Sequence, residues 1–501
     1  MAEELPQNNF FDTEHLKADL KGRSVRGGAV TIGAQWTKFC LQTASTVVLA
    51  RLLTPQDFGL IAMVMVITGF VERFKDMGLS AATVQKAEIS HDQISTLFWI
   101  NVAISFVIML IAAALAPAIT WFYGEPKLTW ITIALACGII FGGLTVQHQA
   151  LLRRQMRFGT LAVIDIVSIA AGVLAGIIAA CYGLRYWALV IMHLANPIMR
   201  VAVTWIICPW RPGMPVRRSG VREMLAFGGH LTGFNLLNYF ARNADNLLIG
   251  KFWGAGQLGL YSKAYGLLML PIGQITAPIS AVAVPTLSRL QDDPERYRRY
   301  YYRAISTIAF ITMPLVAMLA ALSHEVIMIV LGHQWVGASP IFKVLAFAAI
   351  VQPVVGTVGW VYVSLGRTKR MMYWSFIAVP LIVLSFAIGL PWGALGVAIA
   401  YTVCILTVNT VPCLAYAFRD SPITVVDFFK AISYPAATAV VMYCVLEFMR
   451  FHLGAQSAGW ILLWCFTAAG GIFLASILLS GQVRGDLAGL LAELKRTKKD
   501  I

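Results

Sequence analysis

Charge is what this chain has least of. Asp, Glu, Lys and Arg make up 13% of its 501 residues, about half the share of a soluble domain. Most of the chain therefore cannot build a water-facing surface. Acidic residues are the scarcer sign, 24 against 39 Lys and Arg. That imbalance does not call for nucleic acid, because Lys and Arg retained in cytoplasmic loops produce it in any membrane protein. No GxxxxGK[ST] run occurs, which excludes ATP hydrolysis by a P-loop. No Ser/His/Asp spacing and no helix with paired histidines is present. The eight cysteines lie in or beside apolar runs without a CxxC pair. They read as small buried hydrophobes, so no disulfide framework, metal site or cofactor is expected. The first 27 residues are polar and lack an apolar core ending in a small-residue cleavage site, so the first membrane helix is expected to do the targeting. No stretch between the apolar runs is long enough for a soluble catalytic module.

What the chain has in abundance is apolar sequence: 58% hydrophobic residues and a mean hydropathy of +0.73. A spanning helix needs about 20 such residues. On that measure about fourteen runs qualify: 29–50, 57–79, 95–119, 129–150, 159–182, 185–207, 227–250, 256–286, 305–331, 338–364, 372–390, 393–417, 430–449 and 459–480. With the N-terminus inside, the cytoplasmic segments hold 29 Lys and Arg and the opposite-side connections only 5, namely Arg51, Lys127, Arg185, Lys251 and Arg450. This asymmetry puts both termini in the cytoplasm.

The run Asn235 to Pro271 is the most informative. At 100° per residue Asn235, Asn238, Arg242, Asp245 and Asn246 share one side of a helix. Two hundred residues earlier stand Gln35, Lys38, Gln42, Ser45 and Thr46, all polar. The same offset pairs Arg51 with Lys251, Gly59 with Gly259 and Leu60 with Leu260, which reads as an internal repeat. Six runs separate the copies, and an even number means parallel repeats. The expectation is an all-α polytopic membrane protein of two parallel six-helix lobes plus two C-terminal helices. Its segments are a cytoplasmic N-terminal stretch (1–27), a first lobe (28–208), a basic linker (209–226), a second lobe (227–418), the two extra helices (419–482) and a basic tail (483–501).

Ionisable residues inside such runs are functional candidates by default. Lys38, Arg51, Arg242, Lys251 and Lys263 outnumber the embedded acids Asp165 and Asp245, and a cavity with that balance suits an anion. Arg fits phosphate because its planar fork donates two hydrogen bonds at once. Two plainer readings stand beside this one. Arg242 and Asp245, three apart, can pair locally, and Arg51 and Lys251 can snorkel from helix ends. Asp165 and Asp245 are the acids that could exchange protons. Glu72, Arg73, Lys75 and Asp76 are either a salt-bridge gate at the cytoplasmic mouth or a solvated helix end. Arg296, Arg298, Arg299 and Arg303, interleaved with tyrosines, resemble a headgroup-binding surface helix, although positive-inside bias accounts for much of that run. Trp36, Tyr239, Tyr261, Tyr265, Trp360, Tyr362 and Trp374 could stack on sugars but also suit membrane-interface belts.

Four segments carry a family resemblance: LARLLTPQDFGLIAM (49–63), DMGLSAATVQKAEISHDQISTLFWINV (76–102), NADNLLIGKFWGAGQLGLYSKAYGLLMLP (243–271) and RLQDDPERYRRYY (289–301). They resemble the polysaccharide transporter family, the Wzx-type flippase branch of the MOP exporter superfamily, near the colanic acid exporter subgroup. The resemblance runs from about residue 24 to 420. It implies a MATE-like pair of six-helix lobes around a cationic cavity. It also implies a transporter, not an enzyme, that moves undecaprenyl-pyrophosphate-linked repeat units across the bacterial inner membrane for exopolysaccharide, capsule or O-antigen synthesis. Membrane lipids, a polymerase and a co-polymerase are the implied partners. Arg51, Asp76, Asp245, Lys251 and Lys263 lie within matching segments, whereas Lys38 and Arg242 rest on the stripe alone. Two other readings remain open. A MATE-like drug/cation antiporter would prefer an acidic cavity, and a membrane polysaccharide polymerase would show a sizeable periplasmic loop.

Overall fold

The computed structural model describes residues 11, 20–72, 80, 83–84, 89–216, 222–454 and 456–479; the side chains of 20–26, 29, 71–72, 222–238 and 240–242 lie outside the description. Regular structure among the described residues is helical throughout. The chain divides into two compact units, Met1–Gly259 and Leu260–Ile501.

The first unit holds α1 (Leu20–Leu52), α2 (Pro55–Glu72), α3 (His91–Ala114), α4 (Ala116–Tyr123), α5 (Leu128–Gly143), α6 (Val146–Arg154), α7 (Phe158–Cys181), α8 (Tyr186–Ile207) and the first part of α9 (Arg222–Arg289). The second holds the rest of α9 with α10 (Pro294–Ala321), α11 (Ser323–Val330), α12 (Ala338–Val355), α13 (Val358–Ser364), α14 (Thr368–Gly389), α15 (Gly393–Val403), α16 (Thr410–Phe418), α17 (Val425–Leu453) and α18 (Ala458–Leu479). Every expected apolar run falls on one or more of these helices, although the end of the second run, from residue 73, lies outside the described residues. Among the described residues ten helical stretches are long and apolar enough to cross a membrane. The figure is below fourteen partly because Thr368–Phe418 counts as one stretch where two runs were expected. The helix α1, which carries the polar stripe, is not among the ten, and Pro55–Phe70 counts only as a shorter apolar helix.

Local sequence sets where helices begin and turn. Ser90 and Gln93 form a reciprocal capping box at the start of α3, and Thr424 and Asp427 do so for α17. Each satisfies backbone N–H groups that the first turn leaves without partners. Within α9 the helical path breaks at Gly254 (φ 76°, ψ −179°), and the turn into α15 uses Gly393 (φ 76°, ψ −164°). Both stand in a Trp-Gly-Ala sequence, and both adopt a backbone that a Cβ would oppose.

Close packing in the first unit depends on small residues. Ser168, Gly172 and Gly176 form one buried row on α7. A Cβ on Gly172 would lie 2.9 Å from the Met192 carbonyl oxygen of α8, so the two backbones touch. Small residues are the usual means of bringing membrane helices together, because lipid tails are as apolar as leucine and give no hydrophobic drive. A tighter contact joins α2 to α9. A Cβ on Gly59 would fall 1.7 Å from the Ala255 oxygen, and one on Gly259 would fall 1.8 Å from the Pro55 oxygen. Residues 55 and 59 are related to 255 and 259 by the offset of the sequence repeat. The contact is therefore reciprocal under that offset.

The basic connection after α8 is ordered where it is described. Gly213 N–H donates to Ser95 Oγ at 3.0 Å, Val216 N–H to Thr96 Oγ1 at 3.0 Å, and Trp99 Nε1 to the Gly213 carbonyl at 2.9 Å. Residues 211–216 are thus strapped across the first turns of α3.

In the second unit α10 packs on α17 and α12 around a buried core that includes Ile308, Met313, Phe428 and Leu446. The tyrosines of the Arg/Tyr run point inward. Tyr297 and Tyr301 are buried, with their hydroxyls hydrogen-bonded to Ser364 Oγ (2.6 Å) and Thr357 Oγ1 (2.8 Å). Their arginine neighbours are left on the outside. Further along, Glu325 of α11, Lys343 of α12, and Glu447 and Arg450 of α17 form one charge network. Arg450 reaches Glu325 at 2.9 Å and Glu447 at 3.1 Å, and Lys343 pairs with the other Glu447 oxygen. Glu325 is only 5% exposed in this pair. In the connection between α16 and α17 Asp420 accepts a hydrogen bond from Arg370 of α14, which holds its carboxyl below the ordinary range. That contact's contribution is lost only as pH falls through the lowered value.

Two outcomes follow from this packing. Gly59→Leu and Gly259→Leu should each destabilise the detergent-solubilised protein by about 3 kcal/mol or more, because backbone must move. Gly273→Ala, which meets nothing within 4 Å, should leave the melting temperature unchanged or slightly raised. Arg450→Met leaves Glu325 buried without its partner and should cost about 2–3 kcal/mol, less than a wholly buried pair because Arg450 is 31% exposed. Adding Glu325→Gln should restore at least half of that loss in the same melting assay; no recovery would mean that the packing of Arg450, not its charge, sets the cost.

Candidate functional site

Three charged side chains from three helices of the first unit converge. Lys38 Nζ of α1 lies 2.8 Å from Asp165 Oδ2 of α7, and Arg200 Nη2 of α8 lies 3.3 Å from Asp165 Oδ1. One carboxylate between two cations leaves a net positive charge. Asp165 sits seven residues into α7, about 10 Å along a helix rising 1.5 Å per residue. In a hydrocarbon layer about 30 Å thick, that depth makes an unpaired charge costly. Pairing meets part of the cost, and the partial exposure of each side chain (25–28%) leaves the cluster open on one side. Arg200 Nε is buried and makes no hydrogen bond. The cluster thus holds a donor that its own carboxylate does not satisfy.

The α7–α8 hairpin explains the register. It turns at Gly183 (φ 76°), and Asp165 and Arg200 lie almost equally far from that turn along the two arms. The Gly172 and Gly176 row lets the arms approach. Lys38 arrives from α1, which packs on α7. Arg200 lies within the apolar run 185–207 but is not among the site residues expected from the sequence. Its equal spacing from Gly183 with Asp165 is the signal that could have found it.

The other expected site residues are dispersed. Asp245 is buried, and its Oδ1 accepts the Asn246 N–H at 2.7 Å. The Lys251 ammonium donates to the Phe122 carbonyl at the end of α4 and lies 5.0 Å from the centre of the Phe122 ring. This is a helix-terminus contact, in which a cation meets the negative end of α4. Arg51 is exposed in the last turn of α1. Lys263 is half-buried in the second unit. Arg242 and Glu72 lie on helices, but their side chains, together with all of Arg73 and Asp76, are outside the described residues.

Two acids beyond Asp165 and Asp245 are embedded in apolar helices, Glu325 and Glu447, and the sequence reading passed over them. Lys343 and Arg450 neutralise them, so they do not offset the positive balance of the Lys38 cluster. Of the aromatic candidates, Tyr261, Trp360 and Tyr362 are buried core, Trp374 stacks on Tyr416, and Trp36 is 58% exposed. Among the described residues no group of three or more His, Cys, Asp or Glu is placed to hold a metal ion.

Comparison with known proteins adds to this geometry. Residues 48–340 match the family model described as "Polysaccharide biosynthesis protein". The lipopolysaccharide biosynthesis protein WzxC of Escherichia coli K12 is 26% identical over 78% of this chain and 81% of its own length. The teichuronic acid biosynthesis protein TuaB of Bacillus subtilis is 28% identical over 75% of this chain and 79% of its own. Among solved structures, the lipid II flippase MurJ in an inward closed conformation superposes with a TM-score of 0.70 at 16% identity, covering 89% of this chain and 98% of that one. At that identity the likeness concerns the fold, and it is the fold of a multi-helix membrane transporter. With more than half its length inside the family model, the chain belongs to the polysaccharide biosynthesis protein family of Wzx-type transporters.

Proposed function

We propose that this chain is a lipid-linked oligosaccharide flippase. It carries polysaccharide repeat units, joined to undecaprenyl pyrophosphate, from the cytoplasmic to the periplasmic leaflet of the bacterial inner membrane, with both termini in the cytoplasm. Sugars and a diphosphate cannot cross about 30 Å of hydrocarbon without a polar path. The observation that carries this reading is the Lys38–Asp165–Arg200 cluster, a net cationic site on apolar helices with one arginine donor to spare. A drug/cation antiporter would be served by the opposite sign. A membrane polymerase would need a catalytic module for which the connections leave no room.

The cluster suggests how an anion is taken and released. Substrate phosphate and the Asp165 carboxylate compete for the same two cations. Arg200 supplies planar, paired donors and Lys38 a point charge. Entry of the diphosphate displaces Asp165, and return of Asp165 helps to expel it. An ion gradient, the membrane potential or consumption of product could drive the cycle. Alternate opening of the site to the two leaflets would complete the cycle, and a polymerase with its co-polymerase would receive the product.

The test is reconstitution of purified protein in vesicles with an undecaprenyl-pyrophosphate oligosaccharide, following how fast the sugar becomes accessible to an external glycan-cleaving enzyme. Lys38→Gln and Arg200→Gln should each slow exposure about tenfold or more, as expected for loss of a charged hydrogen bond, while membrane insertion is retained. Arg242→Gln tests the stripe in the same assay. Wild-type rates in the Lys38→Gln/Arg200→Gln double variant would remove the cluster from the mechanism. Asp165→Asn removes the competing carboxylate and should tighten inorganic pyrophosphate binding about tenfold while slowing turnover.

A further inference from the structure

A second basic site lies in the second unit, far along the sequence from the Lys38 cluster. Glu295, Arg298, Arg299, Tyr302 and Arg303 from the first turns of α10, with Asp427 and Lys430 from the first turns of α17, line an open cavity of about 550 Å³. These are helix ends that the Lys and Arg distribution assigns to the cytoplasmic interface. Four cations face two acids, and one of those acids is already committed. Asp427 pairs with Arg298 and also closes the capping box with Thr424. Arg299, Arg303, Lys430 and Tyr302 complete the lining, with Glu295 the one other acid.

The wall beneath is rigid. Tyr297 and Tyr301, one turn apart, are buried and held by Ser364 and Thr357, and Tyr301 packs edge-on against Phe418, which meets Phe428. Those anchors fix the rotation of α10, so residues 298, 299, 302 and 303 must face the cavity. Positive-inside bias alone puts cations on this side of the membrane, but it does not gather them from helices more than a hundred residues apart around one recess. Guanidinium groups beside an ammonium and a phenol form the donor set that phosphate oxygens take.

We infer that this cavity binds a phosphate-bearing lipid headgroup at the cytoplasmic interface. The ligand is either an anionic phospholipid of the bulk membrane or the diphosphate of a lipid-linked sugar held before transport. The site stands whether or not the Lys38 cluster works as proposed. Full-length protein is placed in phosphatidylcholine nanodiscs containing phosphatidylglycerol, and the lipids retained are counted by native mass spectrometry; a parallel arm titrates detergent-solubilised protein with inorganic pyrophosphate. Arg299→Gln/Lys430→Gln should weaken binding of the retained anion about tenfold or more, since each interfacial cation contributes appreciably to anion attraction. Arg296→Gln/Lys369→Gln removes the same charge from exposed positions outside the cavity and should leave binding unchanged. Glu295→Gln removes an acid from the lining and should tighten it several-fold, which keeps the test open if the double variant fails to fold. Retention of phosphatidylglycerol alone identifies the source as bulk lipid, and retention of pyrophosphate alone identifies it as the diphosphate carrier. Equal loss in the two double variants, or no binding in either arm, would overturn the site.

Discussion

The cost of holding charge inside apolar helices governs how this chain is put together. A lone cation or carboxylate at that depth is costly, so each embedded charge must find a partner or reach water. Two solutions occur. In the second unit Lys343, Glu447, Arg450 and Glu325 balance in sign and tie α11, α12 and α17 together. In the first unit Asp165 faces two cations, and the cluster does not balance. A neutral, largely satisfied network suits a structural joint. A partly exposed cluster with a surplus cation and an unused arginine donor suits a ligand of the opposite sign.

Bringing such groups within hydrogen-bond reach requires helices to approach closely, and the glycines make this possible. Gly172 and Gly176 let α7 and α8 touch along their backbones, which aligns Asp165 with Arg200. Gly59 and Gly259 do the same for α2 and α9, where the backbone of each helix takes the space a side chain would fill on the other. Packing of this kind draws on dispersion and close fit, because a membrane interior offers no hydrophobic drive between helices. The electrostatics of the Lys38 cluster therefore rests on an absence of side chains elsewhere.

Anion recognition is proposed at two levels by the same chemistry. Arginine forks and a lysine point charge are set about a recess whose acid is either shared or already occupied. Asp165 is shared between Lys38 and Arg200, whereas Asp427 is held by Arg298 and Thr424. A shared acid can be displaced and so permits turnover, while an acid held by Arg298 and Thr424 is not displaced in the same way and suits retention.

The all-helical class and the positions of the apolar runs were legible in the sequence. Each depends on local rules: hydropathy over about 20 residues and helical periodicity. The capping pairs Ser90–Gln93 and Thr424–Asp427 obey the same kind of local rule, being contacts three residues apart, although the sequence reading did not draw on them. The family was legible because runs such as NADNLLIGKFWGAGQLGLY carry it without reference to folding. What the sequence did not reveal is which embedded charges meet. Lys38 and Asp165 are 127 residues apart, and nothing in either helix names the other. Arg200 passed as one more embedded cation until the Gly183 hairpin set it beside Asp165. Tyr297 and Tyr301 read as interface residues until Ser364 and Thr357 were found against their hydroxyls. Local sequence determines which helices form and which of their faces are polar. The pairing of those faces is decided only when the backbones pack, because electrostatic energy depends on distances that no single helix defines.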